Sequence, residues 1–322
     1  VKTRLLALTA LLGGTALLLS GCSGAGSASD SSSAAAAGGP VKVVASTNVY
    51  GDLVSSIGGD LVEVTSIIDS PDKDPHEYEA TARDQLAVSG ATLVIENGGG
   101  YDHFLDTMIS AAGTEAPVIT ATVIAGLEDV HDHAEEEEEE SEGGHEHAEF
   151  NEHVWYDLSV MKEVAGRIGD ELAALDPDNA SAYSANLATL DEGLDALIAR
   201  EGELKGTLSG RSIAITEPVP LYMTDALGLT DATPEAFSEA VEEGTDVPAT
   251  TLQETLALFS GEAVDALIYN EQTEGAQTDA VLDAAKAAGI PAVPVTETLP
   301  EGDDYTGWMT ANLDAIEGAL SQ

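Results

Sequence analysis

The chain has one cysteine, Cys22, in 322 residues. It can therefore form no internal disulfide and no zinc site built from several thiolates. Basic residues are also scarce: 11 Lys and Arg face 59 Asp and Glu, a formal net charge of −48 at pH 7. Such a surface excludes nucleic acid as a partner, because phosphate binding needs a basic patch. Docking on an anionic membrane surface is excluded for the same reason. Aromatic residues make up 4% of the chain, with two Trp, so platforms for stacking sugars or bases are few. No HExxH helix, no GxGxxG or GxxxxGK[ST] phosphate loop and no GxSxG elbow occurs, which removes the common metalloprotease, nucleotide-binding and esterase signatures. No serine lies in a strand-turn-helix nucleophile context, although composition alone does not exclude a Ser-His-Asp hydrolase. What the chain does have is apolar material: 43% of its residues are hydrophobic, enough for a sizeable core.

The longest apolar run, Leu5 to Leu19, is shorter than the roughly 20 residues a membrane span needs. Preceded by Lys2 and Arg4, it fits the apolar segment of a secretory signal, so residues 1–21 read as a signal peptide. Leu19-Ser20-Gly21-Cys22 resembles a bacterial lipobox, in which the cysteine is lipidated and becomes the new N-terminus. Several acyl chains on Cys22 would anchor the protein to the membrane from outside the cytoplasm, at about 0.8 kcal/mol per buried CH₂. Residues 22–40, rich in Ser, Ala and Gly, read as a flexible tether.

From Val41 onward, short β-branched runs alternate with helical stretches. Strands are expected at Val41–Thr47, Glu63–Ile68, Thr92–Glu96 and Pro117–Thr120, and again at Ser212–Thr216, Ala266–Tyr269 and Ala292–Thr296. Alternation of this kind predicts βαβ units, parallel sheets and an α/β fold. The pattern stops and restarts, which gives two Rossmann-like lobes, 41–177 and 209–322. Between them, Tyr183, Leu187, Leu190, Leu194 and Leu197 step by four and three along one helical face. This spacing predicts one long connecting helix over 178–208, with Gly193 and Gly202 as points where it could break. Residues 128–152 differ in kind. Thirteen of these 25 are acidic, and His131, His133, His145 and His147 lie among them without apolar periodicity. They read as a disordered loop within the first lobe, either a solvated charge run or an accessory metal-collecting loop.

Two histidines stand outside that acidic segment in ordered context. His76 lies in Asp74-Pro75-His76-Glu77-Tyr78, beyond the second strand, and His153 lies in Asn151-Glu152-His153-Val154-Trp155-Tyr156-Asp157, before a helix. Loops at the carboxyl edge of a parallel sheet are where open α/β folds bind ligands. On residue type alone, the pair stands equally as metal ligands and as ordinary hydrogen-bonded histidines. The second lobe has no histidine. Its candidate ligands are therefore carboxylates, and Glu217 and Glu297, each just after a strand, are singled out by position against a background in which an acid is normally solvated surface.

The lipobox, Thr47-Asn48-Val49-Tyr50-Gly51-Asp52, Asp74-Pro75-His76-Glu77-Tyr78, Glu96-Asn97-Gly98-Gly99-Gly100-Tyr101-Asp102 and His153-Val154-Trp155-Tyr156-Asp157 occur in this order. Together they resemble the zinc/manganese solute-binding lipoproteins of ABC importers, a family that includes streptococcal adhesin-type lipoproteins. The likeness runs from about residue 41 to 322. It implies two α/β lobes joined by one long helix, with a metal ion held between them by His76, His153, Glu217 and Glu297. The fourth position usually carries Asp, so Glu297 is a departure, and Asp303 or Asp304 could take its place. Glu217 resembles the manganese members, while the His/acidic loop resembles the zinc members. Two neutral imidazoles and two carboxylates suit Zn²⁺, with Mn²⁺ as the alternative. The implied protein is a monomeric, lipid-anchored receptor that hands its metal to an ABC permease and catalyses nothing. A manganese-specific receptor and an adhesin on the same scaffold are the competing functions, and a metal-dependent hydrolase would need an open coordination position.

Overall fold

The computed structural model describes residues 39–322 except 72, 74, 77, 128–149, 262 and 322. The signal segment, Cys22, His131, His133, His145 and His147 thus lie outside the described residues. The first lobe runs β1 (Val41–Thr47), α1 (Asn48–Gly58), β2 (Val62–Ile68), α2 (Ala82–Ser89), β3 (Leu93–Glu96), α3 (His103–Ala112), β4 (Val118–Thr120), α4 (Ala121–Ile124) and α5 (Leu158–Leu175). Helix α6 (Ala180–Leu208) crosses to the second lobe. That lobe runs β5 (Ser212–Ile215), α7 (Leu221–Ala226), β6 (Thr230–Asp231), α8 (Glu235–Glu242), α9 (Ala249–Ser260), β7 (Ala266–Asn270), α10 (Ala276–Ala288), β8 (Ala292–Val295) and α11 (Tyr305–Leu320).

Each lobe has a four-stranded parallel sheet, in the orders β2-β1-β3-β4 and β6-β5-β7-β8. The strand order reverses between β1 and β3 and between β5 and β7. Each reversal opens a crevice at the carboxyl edge, where loops can diverge. The central strands β1, β3, β5 and β7 are short and apolar because both their faces are covered. Val43 and Ala45 of β1, Leu93 and Ile95 of β3, Ile213 and Ile215 of β5, and Ala266 and Ile268 of β7 all face one core shared by the two lobes. The residues between them, Val44, Val94, Ala214 and Leu267, face two separate outer cores. This two-residue alternation leaves each sheet with one face on the shared core and one on its own.

Helix α6 is about 43 Å long at 1.5 Å per residue, and it is unbroken at both glycines. Tyr183, Leu190, Leu194, Leu197, Leu204 and Leu208 bury its inner stripe. At Gly193 a Cβ would sit 3.2 Å from Thr306 Cγ2 of α11, so the glycine allows helix α11 to approach closely rather than breaking α6. Direct hydrogen bonds also tie the lobes together. Asn48 Nδ2 donates to Leu299 O (2.8 Å) and Leu299 N donates to Asn48 Oδ1 (3.0 Å). Tyr305 N donates to Asp52 Oδ2 (2.9 Å), and Tyr156 Oη donates to Thr296 O (2.7 Å). Two elements of the second lobe, β6 and α8, went unanticipated in the strand-and-helix reading.

Candidate metal centre

The residues on either side of His153 position it. On its C-terminal side, Asp157 caps α5, accepting from Ser159 N and Val160 N at 2.9 and 3.1 Å, and a short turn of 3₁₀ helix over Val154–Tyr156 leads into that cap. On its N-terminal side, Asn151 holds the imidazole: its Oδ1 accepts from His153 N at 3.0 Å and lies 2.7 Å from His153 Nδ1. Asn151 Nδ2 donates to Pro218 O at 3.1 Å, which fixes the amide so that its oxygen faces the ring. An amide oxygen only accepts, so Nδ1 carries the proton and Nε2 presents a lone pair. The side chain is 1% exposed. Burial first, and His76 second, hold its pKa well below the ordinary imidazole value, which keeps it in the neutral form that can bind a metal.

His76 meets the ring of Tyr101 edge-on, with centroids 5.1 Å apart. Tyr101 reaches this place through a loop whose backbone is left-handed at Gly98, Gly99 and Gly100 (φ 81°, 69° and 87°), a conformation glycine adopts without steric cost. Asp102 pins the loop by accepting from Asn97 N and Gly98 N at 2.6 and 2.9 Å. A Cβ on Gly99 would lie 3.0 Å from Phe150 and 3.2 Å from Glu152.

The second lobe contributes carboxylates from its strand ends. Glu217 follows β5 and Glu297 follows β8, and both are buried. Asn270, the last residue of β7, bridges them: its Nδ2 donates to Glu217 Oε2 at 2.5 Å and to Glu297 Oε1 at 2.7 Å. Tyr101 Oη donates across the cleft to Glu297 Oε2 at 3.2 Å. Gln272 Oε1 accepts from Glu297 N and Thr298 N at 2.7 and 3.0 Å, while Gln272 Nε2 donates to Pro71 O of the first lobe at 3.1 Å. Asp303 and Asp304 are exposed. Asp304 serves instead as the N-cap of α11, accepting from Gly307 N at 2.7 Å, so the alternative to Glu297 at the cleft finds no support there.

Two further carboxylates enter the cleft. Glu152, expected at the end of a disordered loop, is 4% exposed, so the acidic segment is packed at its last residues. Glu242, the final residue of α8, places Oε1 3.5 Å from His153 Nε2. Burial, then the charges of Glu152, Glu217 and Glu297, push the Glu242 carboxyl up to about 9. Among the described residues, His76, His153 and Glu297 carry ligand atoms within 4.8 Å of one another, and so do His76, Glu152 and Glu242. Glu217 belongs to neither set and joins the site through Asn270. Carboxylates gathered this closely in a buried site repel one another unless a cation or protons compensate. A divalent metal ion is the group whose charge and ligand preference the collection matches.

Sequence reasoning picked out Glu217 and Glu297 by their strand-end positions and passed over Glu242, Glu152, Asn270 and Gln272. Asn270 had a legible signal, a polar residue ending the apolar run of β7. Glu242 had none, since it lies in an acidic stretch with no expected helix.

Comparisons with known proteins bear on this geometry. A manganese ABC transporter substrate-binding lipoprotein, PsaA, from Streptococcus anginosus is 29% identical over 301 residues, covering 88% of this chain and 91% of that one. The manganese-binding lipoprotein MntA of Halalkalibacterium halodurans is 24% identical over 322 residues, with coverage of 95% and 96%. The periplasmic zinc binding protein TroA from Treponema pallidum has the same fold, with a TM-score of 0.70 at 21% identity over 88% of this chain and all of that one. The profile of the family described as "ZnuA: Zinc-uptake complex component A periplasmic" matches residues 43–319. With two parallel-sheet lobes, a single connecting helix and a family match over most of its length, this chain belongs to the ZnuA zinc-uptake component family.

Proposed function

We propose that the protein is an extracytoplasmic receptor that captures one zinc ion, or a manganese ion, in the cleft between its lobes and passes it to an ABC permease. The observation that carries this reading is the convergence of His76 and His153 of the first lobe with Glu297 of the second. Glu217 completes a set of two neutral imidazoles and two carboxylates, whose charge balances a divalent ion. Zinc accepts such a set tetrahedrally at about 2.0–2.2 Å, and site affinity favours zinc over manganese. The zinc-uptake description of the family and the manganese names of the relatives support these two cargoes in turn. The lipoprotein names support an anchor at Cys22. The receptor acts as a monomer and performs no turnover. His131, His133, His145 and His147 serve as an accessory collecting loop.

Native mass spectrometry of the full chain offered equimolar Zn²⁺ and Mn²⁺ tests this reading. One retained zinc is expected, and none in His76→Ala. A tightly held ion surviving in His76→Ala would overturn the ligand assignment, and retained manganese would change the cargo.

A further inference from the structure

The cleft holds more donors than one tetrahedral ion uses. Its two ligand sets share His76 and differ in enclosure. In the first, His153 and Glu297 are both buried; in the second Glu152 is buried as well, at 4% exposed, and only Glu242 is partly open, at 12%. The Glu152–Glu242 set is therefore the one with an opening to solvent, through Glu242. Glu242 also stands at ligand spacing from the inner set. Two donors on a tetrahedral ion with arms of about 2.0–2.2 Å lie about 3.3–3.6 Å apart, and Glu242 Oε1 is 3.5 Å from His153 Nε2. Nothing else in the structure gives this oxygen a role: it is shut off from solvent and accepts no hydrogen bond among the described residues. Its ionised form is also unfavourable there without a cation, because the C-terminal end of a helix carries partial negative charge and Glu242 ends α8.

We propose that Glu152, Glu242 and His76 form an outer coordination position that receives the divalent ion and passes it to His153 and Glu297. His76 takes part in both positions, so they serve a single ion in turn. An ion entering the cleft exchanges its water ligands for the two carboxylates first and for the deeper donors second. No step then requires it to be stripped of all its ligands at once. This inference rests on the cleft being the metal site.

The test is stopped-flow kinetics on the full chain at fixed ionic strength. Zn²⁺ association is followed directly, release is followed into a chromophoric chelator, and affinity is measured by competition. A residue on the transfer route alters both rates and leaves the end states alone. Glu242→Gln is expected to slow association and release together, each by about tenfold, with affinity changed by less than about threefold. Glu152→Gln is read in the same way and keeps the test decisive if Glu242→Gln folds poorly. Glu243→Gln, which removes an exposed neighbouring charge, is expected to change neither rate. Unchanged rates in both cleft variants would overturn the proposal. So would weakened affinity with faster release, which would make Glu242 a ligand of the resting site. Equal slowing by Glu243→Gln would also overturn it, since that would be an effect of the general negative field. If the unaltered protein took up no zinc, the receptor reading itself would fail.

Discussion

The two lobes repeat one topology and divide the chemistry of the cleft between them. Their strand orders correspond, and Tyr101, Glu217 and Glu297 each follow the carboxyl end of a strand, β3, β5 and β8. The first lobe supplies both imidazoles, set among the rings of Tyr101 and Trp155. The second lobe has no histidine and supplies the carboxylates of Glu217 and Glu297, which accept from the Asn270 amide, while Gln272 Oε1 accepts from the Glu297 backbone N. Burial explains this division. Apolar enclosure favours a neutral imidazole, which is the form that donates to a metal, but it disfavours an ionised carboxylate unless donors surround it. In the proposed site, the aromatic lobe would thus set the character of the donors, and the second lobe, with Glu152 of the first, would provide the charge that balances the ion.

This contrast can be broken by comparing single ligands. His153→Ala should weaken zinc binding more than any single carboxylate substitution. If a zinc site worth about 10–16 kcal/mol is shared among four donors, losing one costs about 3 kcal/mol, a weakening of about two orders of magnitude, measurable by chelator competition. Glu297→Ala should cost less, about 2 kcal/mol, because Glu152, Glu217 and Glu242 remain to balance the charge. A larger loss from Glu297→Ala than from His153→Ala would reverse the assigned roles.

The connecting helix gives a prediction independent of metal. Glu201 lies on the buried stripe of α6, and burial, with the charge of Asp157 behind it, pushes its carboxyl up to about 7. In the unfolded chain it titrates near the ordinary carboxylate value. Below that value both states hold the proton and there is no penalty. As pH rises towards 7, the unfolded state ionises first and the folded state loses relative stability. Glu201→Gln should therefore leave denaturant midpoints unchanged at pH 4 and stabilise the metal-free protein by about 1–2 kcal/mol at pH 8. Equal effects at both pH values would show that the carboxyl is not perturbed. The smallest effect should come from Tyr101→Phe. It removes only the hydrogen bond across the cleft to Glu297 and should weaken zinc affinity by about 1 kcal/mol.

Particular residues show how far the sequence could be read. The alternation of apolar strands with helices was legible because a parallel sheet covered on both faces requires unbroken β-branched runs. Glu217 and Glu297 were legible as strand ends. Gly193, which read as a possible break, proved to be a contact glycine, since whether a glycine breaks a helix or admits a neighbour depends on the side chain packed against it, here Thr306. Glu152 was obscured by the acidic run before it, and its burial comes from its place beside His153 and the Gly98–Gly100 turn. Asp304 looked like a spare ligand, but a helix start nearby uses it as a cap. Glu242 was illegible because its role depends on α8 being brought against the first lobe, a long-range event that local patterning does not encode.

The most direct test of a metal held between the lobes is X-ray absorption at the zinc edge on the full chain carrying one equivalent of zinc, repeated after deletion of residues 128–149. Two imidazole nitrogens and two carboxylate oxygens at about 2.0–2.2 Å, unchanged by the deletion, are expected. Loss of the imidazole signal on deletion would place the ion on the His/acidic segment and contradict a site shared by the two lobes.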